Sequence, residues 1–292
     1  MTERQAVSVV LNPRPRDIGS FEVRRVLPDA SRRTVGPFVF FDHMGPVQFP
    51  PGKGIDVRPH PHIGLATLTY LFEGAIMHRD SLGVEQLIEP GAVNWMVAGK
   101  GIVHSERTAD AHRDIEMQVE GIQIWIGLPS ANEDCEPSFT HHPADELPEF
   151  VRNGVHYRLI AGEAFGEKAS VKVFSPMFYL HAEVPEGEAL ELPEDGSERA
   201  VYVVDGSVTI DGSPCEPGQL AVLEDGATPS IVAGAAARVM LIGGAPLDGK
   251  RHLWWNLVSS DPAKIEAAKK QWKAGGFESV PGDDEFIPLP KN

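Results

Sequence analysis

The sequence predicts an all-β protein built from two β-barrel units in tandem, with one short helix near the C-terminal end. Three observations lead there. Apolar stretches are short and mostly read in period two. Glycine and proline, 29 and 25 of 292 residues, exceed ordinary usage and punctuate the chain too often for long helices. Sequence landmarks also recur at a nearly constant offset.

Taken in order, Thr67-Leu68-Thr69-Tyr70-Leu71-Phe72 is a β-branched and aromatic run closed by Glu73-Gly74, and Ile122-Gln123-Ile124-Trp125-Ile126 is another, ended by Gly127 and Pro129. Val201-Tyr202-Val203-Val204, Asp205-Gly206, Ser207-Val208-Thr209-Ile210 and Asp211-Gly212 read as strand, turn, strand, turn. The helix begins at Asp261, an N-cap followed by Pro262, and stops before Gly275-Gly276. Ile265, Ala268 and Trp272 share its apolar face, which is expected to pack on a barrel. Tyr70-Leu71-Phe72-Glu73-Gly74 matches Tyr202-Val203-Val204-Asp205-Gly206, and Glu89-Pro90-Gly91 matches Glu216-Pro217-Gly218. Two copies of one β unit follow. The expected division is 1–130, an acidic, proline-rich linker over 131–147, and 148–292 with the helix.

Charge and composition remove several classes of function. With 26 basic against 42 acidic side chains, the net charge is −16, which excludes phosphate-driven nucleic-acid binding and docking on an anionic membrane. Cys135 and Cys215 make no disulfide framework. Met1-Thr2-Glu3-Arg4-Gln5 lacks the apolar core of a signal peptide, and the longest apolar run, near 231–244, is broken by Arg238. A cytoplasmic protein is expected, with the nucleus as the alternative in a eukaryote.

The chemistry concentrates in Arg58-Pro59-His60-Pro61-His62. Residues i and i+2 of a strand share a face, so both imidazoles can enter one interior. Pro59 and Pro61 share the other parity, and their missing N–H groups put this strand at a sheet margin or barrel mouth. His104-Ser105-Glu106 repeats the i, i+2 spacing after a Gly99-Lys100-Gly101 turn. Three imidazoles and a carboxylate from two strands would hold one divalent transition metal and leave coordination positions open. Among 11 histidines a His-x-His alone is a weak signal, and His-x-Glu recurs at His181-Ala182-Glu183. The force lies in the two pairs flanking glycine-bounded strands of one half. Gly99-Lys100-Gly101-Ile102-Val103-His104 lacks the last glycine and the helix of a dinucleotide fingerprint. Both cysteines read as bystanders, and His141-His142 as a solvated linker pair.

The first half resembles a cupin barrel. Gly54, His60, His62 and Gly74 fit the first cupin motif, with Thr67 where its glutamate normally stands; Gly101 and His104 fit the second, with Gly99 replacing the customary proline. Glu106 would supply the carboxylate from the second motif, a relocation that resembles the pirin family. Phe38-Val39-Phe40-Phe41-Asp42-His43-Met44-Gly45-Pro46, His78-Arg79-Asp80-Ser81-Leu82-Gly83 and Arg251-His252-Leu253-Trp254-Trp255-Asn256 extend that resemblance. It implies a bicupin with one metal in the first barrel, held by His60, His62, His104 and Glu106. Iron(II) is the first choice, with Mn, Co, Ni, Cu and Zn open. Shifting the ligands by the repeat offsets lands on Leu192, Glu194, Ile231 and Ala233, so no second metal is expected.

The resemblance further implies O2-dependent cleavage of quercetin-like flavonols, a small planar phenol as substrate and Glu106 as general base. Its alternative is a metal- or redox-responsive regulator acting through protein partners. His43 and His78 lie in family-like segments and are candidates for positions near the metal. A bicupin already buries its barrel interface within one chain, which favours a monomer.

Overall fold

The computed structural model describes residues 6–194 and 198–291; the charged stretch 1–5, read above as lacking a signal sequence, lies outside the described residues. Strands make up about half of the chain and helices little of it, and the expected all-β class with two units holds. The units are not contiguous in sequence. One contains residues 6–14, 24–41 and 145–246, the other 15–23, 42–144 and 247–291. The division at 131–147 is thus crossed: 24–41 joins the later unit, and 247–291, with the helix, joins the earlier one. Local composition marks turns, but long-range pairing assigns segments to units.

The 145–246 unit is one nine-stranded sheet. Its main order is Val7–Leu11, Leu220–Leu223, Glu198–Ile210, Ile231–Gly244, Met177–Val184, Val155–Ala164 and Glu149–Arg152. Glu198–Ile210 pairs with Ile231–Gly244 through three register shifts between Val203 and Val208, bulges that bend long strands. Val201, Val203, Phe178, Leu180, Ile231 and Val239 fill its core.

The 42–144 unit contains two sheets. A four-stranded sheet runs Asp56–His62, Ile102–Arg107, Ile76–Asp80, Glu85–Ile88; a seven-stranded sheet begins Ser138–His142, Val93–Val97, Leu65–Glu73, Met117–Gly127, Phe38–Phe49. Leu71 and Val119 from the larger sheet meet Ile76 and Ile88 from the smaller in one core. The sheets pack as a cupin-like sandwich and do not close into a ring. One reason is visible at Asp56–His62, which is the edge strand that its two prolines predict. The supposed linker is partly sheet: Ser138–His142 pairs with Val93–Val97. His142 is consequently buried and His141 Nδ1 lies 2.7 Å from Asn94 Oδ1, so this pair is not solvated.

The internal repeat survives as geometry. Gly91 N–H donates to Leu71 O at 2.9 Å, and at the matching positions Gly218 N–H donates to Val203 O at 2.7 Å. Tyr70 and Tyr202 are both buried.

The late helix spans Pro262–Lys273, with the Asp261 side chain accepting from Ala263 N–H. Ile265 and Ala268 pack on Ile63 and Leu257, and Trp272 donates its Nε1–H to Ile287 O at 2.9 Å. The helix therefore presses the segment 247–291 against the end of the histidine strand.

Candidate metal centre

Two neighbouring strands deliver the histidines. His60 and His62 leave the same face of Asp56–His62, and antiparallel pairing sets His104 opposite His60 and Ile102 opposite His62. The outer edge of the histidine strand is covered where Ile287 N–H donates to Pro59 O at 2.8 Å. His60, His62 and His104 are buried, with ring centroids 4.4–5.0 Å apart. One ligand atom from each ring falls within 4.8 Å of the others, the single such cluster among the described residues.

Hydrogen bonds orient these rings. A carbonyl oxygen can only accept, so His60 Nδ1–H donates to Arg58 O at 2.9 Å and His62 Nδ1–H to Asn256 O at 3.0 Å. Each neutral ring then carries its lone pair on Nε2. His62 Nε2 lies only 3.1 Å from His104 Nε2. Burial holds His60 down to about 4, and burial first, then the neighbouring imidazoles, pushes His62 and His104 well below the usual histidine range. A buried group of neutral imidazoles with converging nitrogens fits a divalent transition metal. A cation would satisfy the lone pairs that burial strands.

Glu106 lies outside that tight group. It follows His104 by two positions, with a register shift between them against Asp56–His62. Gln123 Nε2–H donates to its Oε1 at 2.7 Å, and Thr69 Oγ1 lies 3.5 Å away. Burial pushes its carboxyl up, while the Gln123 bond opposes that. Trp125, from the facing sheet, sets its ring against His62 with centroids 5.1 Å apart.

Of the two further histidines, His78 reaches the cluster and His43 does not. His78 Nδ1 stands 3.4 Å from His104 Nδ1, while its Nε2 is 3.0 Å from Asp80 Oδ2. His43 faces Glu120 at 3.4 Å. The supporting residues Asn256, Gln123, Thr69 and Asp80 escaped the sequence reading. Asp80 could have been found, because His78 and Asp80 repeat the i, i+2 spacing of the two histidine-containing pairs. Asn256 acts through its backbone and gives no side-chain signal.

Comparison with known proteins gives this arrangement a family. Residues 20–126 match the family described as pirin, and 179–278 match the pirin C-terminal cupin domain. A pirin-like protein of Caulobacter vibrioides is 51% identical over 290 residues, covering 98% of this chain and 100% of that protein. The chain belongs to the pirin family. Human pirin is 30% identical over 77% of this chain and 76% of its own length. Among solved structures, a quercetin 2,3-dioxygenase from Acinetobacter baumannii superposes with a TM-score of 0.91 at 33% identity, covering 97% of this chain and 95% of the other. As a pirin the chain is a bicupin whose two halves have diverged. Where the repeat would put a second His104 and Glu106, Ile231 and Ala233 are buried among aliphatic neighbours.

Proposed function

We propose that this pirin is a metal-dependent dioxygenase that uses O2 to cleave flavonols of the quercetin type. The observation that carries the reading is the convergence of three buried, neutral imidazoles on one point. The likeness to a quercetin 2,3-dioxygenase along nearly the whole chain supports it. His60, His62 and His104 would hold the metal, with the Glu106 carboxylate as the fourth donor; Fe(II) suits this mixed set and oxygen chemistry. When bound, the metal supplies a Lewis acid that lowers the pKa of a coordinated hydroxyl.

The chain's own residues do the rest. Glu106 accepts the proton of the bound phenol's hydroxyl. Gln123 holds that carboxylate by its 2.7 Å bond and limits its freedom to turn away. Trp125, packed against His62, supplies an apolar wall that helps keep water from the reacting oxygen.

The test is anaerobic loading with Fe(II), then O2 uptake with quercetin, for wild type, Glu106→Gln and His62→Ala, with metal content measured in each. Rapid uptake in wild type that both variants lose is expected. Stoichiometric iron without turnover in wild type would overturn the dioxygenase reading and turn the search to protein partners.

A further inference from the structure

His104 differs from the other two imidazoles of the cluster. His60 and His62 each donate Nδ1–H to a backbone carbonyl, which fixes their tautomers. The Nδ1 of His104 faces the Nδ1 of His78 at 3.4 Å, and either ring could carry that proton. What decides between them lies one residue further out. Asp80 is fully buried. Its Oδ1 accepts from Leu82 N–H at 2.9 Å and Val84 N–H at 3.2 Å, which commits that oxygen to the turn. Its Oδ2 is left for His78 Nε2 at 3.0 Å.

A carboxylate only accepts, so His78 carries a proton on Nε2, which leaves its Nδ1 as the acceptor for His104. His104 in turn donates from Nδ1, which leaves on Nε2 the lone pair that meets the His62 Nε2 lone pair at 3.1 Å and that a cation between them would take up. Phe139 stacks on His78 at 4.4 Å and 22° between planes, so packing restrains the tilt of the middle ring.

We propose that Asp80 and His78 form a positioning relay that fixes the proton of His104 on Nδ1 and turns its Nε2 lone pair toward the metal. The proposal rests on the metal reading given above, and extends it to two residues that touch neither metal nor substrate. Carboxylate and carbonyl partners of ligating histidines commonly change metal affinity 10–100-fold. Here the partner acts through an intervening imidazole.

Asp80→Asn separates the relay from the turn. The side-chain oxygen can still accept from Leu82 and Val84, but the amide nitrogen now donates to His78 Nε2. The His78 proton moves to Nδ1, His104 becomes the acceptor there, and its own proton moves to Nε2, where it blocks the metal. His78→Gln is the second variant, and the urea midpoint of each reports folding. Co(II) titration of the metal-free proteins by visible absorption is expected to show affinity reduced about 10–100-fold in both. Imidazole 15N shifts of the Zn(II)-loaded wild type should show His104 protonated on Nδ1 and bound through Nε2. Affinities within threefold of wild type in both variants, or a His104 bound through Nδ1, would overturn the relay. If wild type itself fails to bind Co(II), the metal reading falls and the relay with it.

Discussion

Replacing Arg251 by methionine should unfold the histidine-bearing unit far more readily, and the structure gives the scale. Arg251 Nε lies 3.0 Å from Glu133 Oε1, and the two side chains are 2% and 1% exposed. Glu133 also accepts from Ser260 N–H at 2.6 Å, Ser260 Oγ–H at 2.8 Å and Ser259 Oγ–H at 3.2 Å. Arg251 further donates to Leu128 O through Nε at 3.2 Å and Nη2 at 2.8 Å. Methionine fills much of the same volume but leaves the buried carboxylate with only the half-exposed Lys264 ammonium, 3.7 Å away, as counter-charge, and Leu128 O without either Arg251 donor. Breaking a buried pair in this way costs about 3–5 kcal/mol. With an m-value of about 2 kcal/mol per molar urea, the midpoint should fall by about 2 M.

The readout is unusually clean. Trp95, Trp125, Trp254, Trp255 and Trp272 are all the tryptophans of the chain, and all lie in this unit, so tryptophan fluorescence follows it alone. The exposed pair Lys100–Glu136 is the control, and Lys100→Ala should move the midpoint by less than about 0.5 M. A shift that small for Arg251→Met would refute the argument, because the pair would then be worth no more than a surface contact.

Three other outcomes are expected. Burial pushes the Cys215 thiol up to about 11, so a thiol reagent at pH 8 should modify only half-buried Cys135 in the folded protein and both cysteines in denaturant. Burial holds His181 down to about 4, which means that the fold prefers the neutral ring. The stability linked to it is present above pH 6.5, is lost as pH falls from there to about 4, and amounts to at most about 3 kcal/mol. His181→Gln should flatten that part of the pH dependence in chemical unfolding followed by circular dichroism. Gly64 has φ +68°, and a Cβ there would meet Val258 O at 2.0 Å, whereas Gly83, at φ +83°, has nothing within 4 Å. Gly64→Ala should cost well over the roughly 1 kcal/mol expected of Gly83→Ala, again read by tryptophan fluorescence.

The histidine cluster was legible in the sequence because strand parity is local. Two i, i+2 pairs need only extended backbone to present their side chains together, and Pro59 and Pro61 announced the edge by the same parity. The tight-turn glycines of the repeat were legible for a similar reason: Gly91 and Gly218 make equivalent bonds. What could not be read depended on distant partners. His141 and His142 looked like linker residues because nothing near them in sequence reveals their pairing with Val93–Val97. Glu106 lies outside the tight cluster although regular pairing of His104 with Asp80 and of Glu106 with His78 keeps the i, i+2 spacing; Gln123, a partner from a distant strand, holds the carboxylate. The segment 247–291 joined the wrong half of the expected division because only its contacts with Ile63, Pro59 and His62 reveal where it belongs.

That last contact has a consequence in time. Synthesis proceeds from the N-terminus, so His60, His62 and His104 leave the ribosome before Asn256 exists. The partner of His62 is 194 positions downstream, and residues 145–246, the bulk of the other unit, must be made first. At about 5–20 residues per second, roughly 8–30 s separate the third histidine from the carbonyl that orients the second. During that interval the nascent chain offers a metal three nitrogens but not the geometry that holds them, and the sheet edge at Pro59 stands bare until Ile287 arrives. A metal taken up by this cluster would therefore find His62 oriented and the edge at Pro59 covered only after translation of this segment.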